Sequence, residues 1–162
     1  MAYTSTRDLL RQDQILAIGL INAEWAMLEA TVSVAIWDYC GLDRQKGLGV
    51  TADLGSLAKI SMLEALARIH FKHDSELIEE IAAIAGRMEK LNSERNVIAH
   101  NLWEMDYIAD TMRTKRPTTK RGKLKETPIS RNSEQLIKTF QDITMVIAEL
   151  ADFQRKHVAR LP

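Results

Sequence analysis

The sequence predicts an all-α fold of four helices, with one β-hairpin inserted between the third and the fourth. Helix formers dominate the 162 residues, which include only seven Gly and three Pro. Apolar residues recur at helical spacing along four stretches, and the repeat shortens toward two residues only after Asn101. With 46% apolar and 27% charged residues, the chain has the composition of an ordinary globular protein. We therefore expect a single domain over residues 1–162.

The first helix is predicted to be long. Ser5, followed three residues later by Asp8, resembles a capping box, and helical spacing then continues to about Tyr39. Gly41 follows as a helix terminator. Past Ala17 the helix is apolar almost all round, so we expect neighbours on most of its sides. It is a candidate both for the centre of the bundle and for a dimer seam.

The same helix bears on where the protein works. Asn22, Glu24 and Glu29 interrupt its apolar run, and a bilayer-spanning helix would tolerate these residues poorly. The single Cys40 cannot form an internal disulfide, and the N-terminus has no secretory apolar region. We therefore expect a cytoplasmic protein that does not enter a membrane.

Three further helices are predicted. After a loop at residues 47–51, the second helix begins at Ala52 or Ser56 and ends near Phe71. Asp74 or Ser75 caps the third helix, which continues to about residue 101. The fourth begins after a cap at 132 or 133 and continues through residue 153.

The segment between the third and fourth helices is predicted to be a β-hairpin over 102–129. Trp103, Met105 and Tyr107 alternate with Glu104, Asp106 and Ile108, a two-residue repeat that is typical of a strand. Pro117 and Gly122 favour turns, so we expect a mobile tip around them.

This hairpin carries an unusual concentration of positive charge. Within residues 113–125 there are seven basic residues and no acidic one, which leaves 15 basic against 22 acidic residues elsewhere. Such a segment favours contact with the phosphates of RNA. The predicted RNA-binding residues are Arg113, Lys115, Arg116, Lys120, Arg121, Lys123 and Lys125.

The candidate catalytic residues are Arg95, Asn96 and His100, near the end of the third helix. Spacing alone decides nothing, because Arg68 and His73 are separated by the same number of residues. On a helix, however, Asn96 and His100 share a face, so the amide can orient the imidazole. A histidine exchanges protons near neutral pH, and the planar arginine fork suits a phosphate and its growing negative charge.

The segment Glu94-Arg95-Asn96-Val97-Ile98-Ala99-His100-Asn101-Leu102-Trp103 resembles the signature of HEPN domains, in which Arg and a polar residue precede a spacer and His. Many members have Gly where this chain has Asn101. The resemblance implies a four-helix up-and-down bundle with the motif on the third helix. It also implies a metal-independent ribonuclease in toxin, antiviral or RNA-processing systems, although some HEPN domains are non-catalytic.

The predicted function is metal-independent cleavage of RNA that leaves a 2′,3′-cyclic phosphate. Because this reaction uses a base and an acid, and the motif holds one histidine, we expect a homodimer with one composite cleft. A protein antitoxin is a candidate partner, and Glu29 is a candidate supporting residue in the cleft. No cofactor or metal is expected, since His70 and His73 lack companion ligands.

Two other functions are open. The chain is alternatively a non-catalytic HEPN-like dimer that binds RNA, nucleotide or a protein partner. The third alternative is a purely structural helical interaction module.

Overall fold

The computed structural model describes residues 10–100, 102–106, 111–120 and 123–158. Most of these residues are helical, which confirms the all-α character of the prediction. In these ranges the helices are α1 (Gln12–Cys40), α2 (Arg44–Thr51), α3 (Ser56–His70), α4 (Ser75–His100) and α5 (Ser133–His157), and the strands are β1 (Leu102–Asp106), β2 (Thr111–Lys120) and β3 (Lys123–Arg131).

The chain divides into two compact units. Unit 1 comprises Met1–Ala23 and Ser93–Gln141, and unit 2 comprises Glu24–Asn92 and Asp142–Pro162. The helices α1, α4 and α5 each contribute residues to both units. That all 162 residues form a single domain stays a prediction.

Unit 2 has a large apolar core with hydrogen bonds between its helices. The Trp37 indole on α1 donates to the Thr51 hydroxyl on α2 over 3.0 Å. The Thr144 hydroxyl on α5 donates to Glu24 on α1 over 3.1 Å. These bonds fix the helices around buried apolar side chains that include Trp25, Leu28, Ile36, Leu63, Ile81, Met88, Ile143, Leu150 and Phe153.

In unit 1, polar contacts join the beginnings of α1 and α5. The Ser133 hydroxyl donates to Asp13 over 2.6 Å, and the Arg11 guanidinium donates to the same carboxylate over 3.0 Å. The Ser133 hydroxyl and the Arg11 guanidinium hold the pKa of the Asp13 carboxyl below its usual range. The start of α5 is closed by reciprocal bonds between Asn132 and Gln135, each side chain accepting the other's backbone N–H.

The ends of the predicted helices agree closely with the structure. Gly41 follows α1 with a φ of 61°, a left-handed conformation that suits glycine. The Asp74 carboxylate accepts the backbone N–H of Leu77 at the start of α4. The predicted cap at Ser5 and Asp8 lies outside the described residues.

The predicted loop at 47–51 is wrong, because α2 occupies it. Asp43 caps this helix by accepting the backbone N–H of Lys46 over 2.9 Å. Gly47 lies so close to the Trp37 ring that a Cβ atom there would overlap it. The glycine that indicated a loop is therefore a packing requirement inside a helix.

The three strands form one antiparallel sheet in the order β1-β2-β3, where the sequence predicted a single two-stranded hairpin. Pro117 was predicted to favour a turn, but it lies within β2 and pairs with Glu126 of β3. Beyond Lys115, β2 pairs with β3 alone in the described sheet. Proline has no backbone N–H, and it is tolerated where one edge of a strand has no neighbouring strand. Tyr107, Arg121 and Gly122 lie outside the described residues.

Helix α1 is less covered than the sequence predicted. Only 28% of its most apolar window is buried, although neighbours were expected on most sides. Leu16, Met27 and Val34 are 62%, 57% and 45% exposed. Among the described residues, α1 is also the one helix long and apolar enough to cross a membrane, by length and composition only.

The contact of Gly47 with Trp37 generates a stability prediction. Gly47→Ala should lower the free energy of unfolding by about 1–3 kcal/mol, because the added methyl group overpacks against the ring. Gly49→Ala is the control, since it adds a methyl group to the same helix in open space. It should raise stability by about 0.5–1 kcal/mol through helix propensity. Urea denaturation of both variants measures the difference, and equal effects would contradict the close approach.

Candidate functional site

The candidate catalytic residues lie in the last two turns of α4, within unit 1. Arg95 and Asn96 are half-buried and His100 is exposed. The last carbonyls of a helix have no partner within it, and one of them is bound here by a side chain. The Trp103 indole on β1 donates to the carbonyl oxygen of Ile98 over 3.0 Å. Trp103 thus holds the last turn of α4, a role that the sequence pattern did not predict.

Arg95 contacts both of the other candidate catalytic residues. Its Nη1 atom donates to Asn96 Oδ1 over 3.2 Å and lies 3.3 Å from His100 Nε2. A guanidinium has no acceptor, so the imidazole Nε2 must accept this hydrogen bond. For the neutral ring, the contact therefore predicts the tautomer with its proton on Nδ1. The Asn96 side chain accepts a hydrogen bond from Arg95 and so orients the guanidinium. The guanidinium in turn contacts the imidazole of His100.

The guanidinium of Arg95 is not fully satisfied. Its Nε atom is buried and has no hydrogen-bond partner within the described ranges. A buried donor without an acceptor costs about 1–3 kcal/mol. Because this Nε atom is enclosed by protein, a phosphate would bind the outer Nη atoms of the guanidinium, of which Nη1 contacts Asn96 and His100.

The second Arg/His pair has a different environment. Arg68 donates from Nε and Nη2 to Glu64 Oε1, over 3.1 and 2.6 Å. In the part of the chain that the structure describes, Arg68 has no contact with His73. Of two pairs with identical spacing, the structure brings only Arg95 and His100 together.

Glu29 lies in unit 2, whereas the motif lies in unit 1. Its carboxylate accepts a hydrogen bond from the Ser56 hydroxyl, which in turn accepts the Trp25 indole N–H over 3.4 Å. The hydrogen bond from Ser56 offsets part of the desolvation cost of placing the Glu29 carboxylate on an apolar helix. A supporting role for Glu29 in catalysis stays a prediction.

The basic stretch occupies β2 and β3, apart from Arg121, which lies outside the described residues. The register pairs Arg113 with Glu104, Arg116 with Thr127, and Lys120 with Lys123. Six of the seven predicted RNA-binding residues therefore belong to two neighbouring strands of one sheet.

Across the described ranges, no three His, Cys, Asp or Glu side chains are grouped closely enough to hold a metal ion. Comparison of the chain with family models, curated proteins and solved structures finds no match.

The Arg95 contact predicts the tautomer of His100. At a pH where the imidazole is neutral, nitrogen-15 NMR shifts should show Nδ1 protonated and Nε2 unprotonated. Arg95→Met removes the donor and should shift the population toward the Nε2-protonated form. Arg68→Met serves as the control and should leave the His100 shifts unchanged. An Nε2-protonated ring in the unsubstituted protein would contradict the contact.

Proposed function

We propose that the protein is a metal-independent endoribonuclease whose reaction is carried by Arg95 and His100. The observation that supports this most is the 3.3 Å contact between the arginine fork and the imidazole at the exposed end of α4. The contact joins a permanent cation, which can stabilise charge on phosphorus, to an imidazole, which can exchange protons near neutral pH.

In the proposed reaction, a phosphate of RNA takes over donors of the Arg95 guanidinium and frees the Nε2 atom of His100. The imidazole removes the proton from the 2′-hydroxyl, whose oxygen forms a bond to phosphorus. The bond from phosphorus to the 5′-oxygen breaks, and a second acid donates a proton to that oxygen. The products are a 2′,3′-cyclic phosphate and a 5′-hydroxyl, while Arg95 stabilises the charge on the phosphoryl oxygens.

The second acid is proposed to be His100 of a second copy of the chain. One chain supplies one histidine in the motif, and a two-fold axis brings two copies of the same surface together. Because His100 is exposed and lies at the end of a helix, a second copy can approach it. The proposed active form is therefore a homodimer.

The wider proposal follows the resemblance of residues 94–103 to the HEPN signature. It includes an up-and-down bundle of the four longer helices, and a role as a toxin or defence effector held in check by a protein antitoxin. The basic residues of β2 and β3 are proposed to contact RNA phosphates outside the cleft. Their concentration on two neighbouring strands favours an RNA path along this sheet.

We also propose that the protein acts in the cytoplasm without entering a membrane. The apolar length of α1 is compatible with a bilayer span, but a helix of a soluble protein can have the same composition when other protein surfaces cover it, and within one chain only 28% of this window is buried. The polar residues Asn22, Glu24 and Glu29 within α1 favour the second interpretation. In this proposal, the exposed residues Ile15 and Leu16 of α1, which lie in unit 1 with the motif, contribute to the dimer seam.

The first functional prediction concerns His100. Purified protein should cleave mixed RNA in EDTA, and His100→Ala should lower the rate by about 10² to 10⁴ fold, the usual effect of removing a general acid or base. His73→Ala is the control and should cleave at the unchanged rate, because His73 does not meet Arg68. Equal cleavage by His100→Ala and the unsubstituted protein would reject the site.

The same experiment separates the alternatives. RNA binding that weakens with salt but leads to no cleavage in EDTA would support a non-catalytic RNA-binding dimer. Neither binding nor cleavage would support a structural interaction module or a dimer that binds nucleotide or a protein partner. Because binding and cleavage are read from the same samples, the experiment separates an endoribonuclease from an RNA-binding dimer and from functions without RNA.

The composite site generates a mixing prediction. Equal amounts of unsubstituted and His100→Ala protein, exchanged fully, should form about one quarter unsubstituted, one half mixed and one quarter substituted dimers. If each cleft needs both histidines, activity falls to about one quarter of that of the same total of unsubstituted protein. Retention of one half, with exchange verified by mass spectrometry, would show that each chain works alone.

A further inference from the structure

A cleft with a volume of about 450 Å³ opens on the surface of unit 2, beside α1. Binding sites for small molecules commonly measure about 300–1,000 Å³. Small residues of α1 line it, namely Ala26, Ala30 and Ser33, and Trp37 and Leu48 add larger apolar surfaces. Its size and lining suit the apolar body of a small organic molecule.

The walls of this cleft are fixed by contacts already present in the protein. The Trp37 indole is bonded to Thr51 and covered by Gly47, which holds α2 against α1. The Ser56 hydroxyl is bonded to Glu29, which holds α3 against α1. A cleft with fixed walls needs little reorganisation to bind a ligand.

Two cations also line the cleft, Arg44 from α2 and Lys59 from α3. Within the residues that the structure describes, neither forms an ion pair. The acidic residue of the lining is Glu29, and its carboxylate already accepts the Ser56 hydroxyl. The lining therefore has an excess of positive charge and attracts an anion.

We propose that this cleft binds a small organic anion with an apolar body, of the kind represented by a medium-chain carboxylate. The apolar part lies along Ala26 and Ala30, and the anionic group meets Lys59 and Arg44. Every residue named belongs to unit 2, so this site stands independently of the RNA cleavage proposed for unit 1. A second copy of the chain is the competing occupant, because Val34 and Leu48 of the same lining are exposed.

The test uses three probes with the same ten-carbon body and different head groups. Decanoate, decanol and decyltrimethylammonium are titrated by calorimetry into the full chain, below the concentrations at which they aggregate. Decanoate should bind about twofold to fivefold more tightly than decanol, the usual effect of a partly exposed ion pair. The cationic probe should bind most weakly. No saturable binding, or equal binding of decanoate and decanol, would overturn the proposal.

Substitutions then locate the binding. Lys59→Gln combined with Arg44→Gln should remove the preference for decanoate and leave decanol binding unchanged. Arg68→Gln is the control, because Arg68 also lies on α3 but is bound by Glu64 and does not line the cleft. Ala30→Trp should block all three probes by filling the cleft. Ala26→Gln serves the same purpose if the larger substitution lowers the melting temperature.

Two results of these substitutions would reject the site. The first is decanoate binding that survives both filling substitutions in folded protein. The second is a dimer that binds no probe and dissociates on Ala30→Trp, which would assign the cleft to a second copy.

Discussion

The arrangement of the candidate site depends on how α4 ends. A helix that frayed in its last turn would separate Arg95 from His100, because five residues set their spacing along the axis. The Trp103 indole opposes this by binding the carbonyl oxygen of Ile98 from the first strand after the helix. One hydrogen bond thus connects the geometry of the motif to the position of β1.

The hydrogen bond from Trp103 to the Ile98 carbonyl also helps to hold the polar side chains of the motif close together at the end of α4. Ile98 is fully buried in the same turn, so its apolar side chain anchors the turn while its carbonyl is satisfied by the indole. Arg95 and Asn96 are then half-buried beside it, and His100 is left exposed. Within residues 95–100, the apolar side chain of Ile98 is therefore buried while the polar side chains of the motif are partly or largely exposed.

Much of the helical structure could be predicted from sequence because its signals are local. Gly41, Asp74 and Asn132 mark helix ends through backbone conformation and capping, which depend on only a few neighbouring residues. The errors arose where a distant contact determines the structure. Gly47 is required by Trp37, ten residues away, and Pro117 is accommodated because the pairing of β2 with β1 stops before it.

The candidate site likewise combines features that local sequence predicts with features that depend on packing. Sequence context and the resemblance to the HEPN signature selected Arg95, Asn96 and His100 as candidates, because the two identical Arg/His spacings could not be ranked by spacing. Glu64 engages Arg68, and that ion pair follows from helix geometry four residues apart. The direct contact of Arg95 with the imidazole is set by how a long side chain is packed, which local patterns do not determine.

The hydrogen bond between Arg95 and His100 has a consequence for symmetry. An imidazole that carries a proton on both nitrogens cannot accept from a guanidinium, and two cations at that distance repel each other. In the proposed site built from two copies, the copy that acts as the base would retain the bond until substrate arrives, whereas the copy that acts as the acid would already have lost it. Two chains with identical sequences would then hold their arginines differently, so the proton alone would distinguish one half of the cleft from the other.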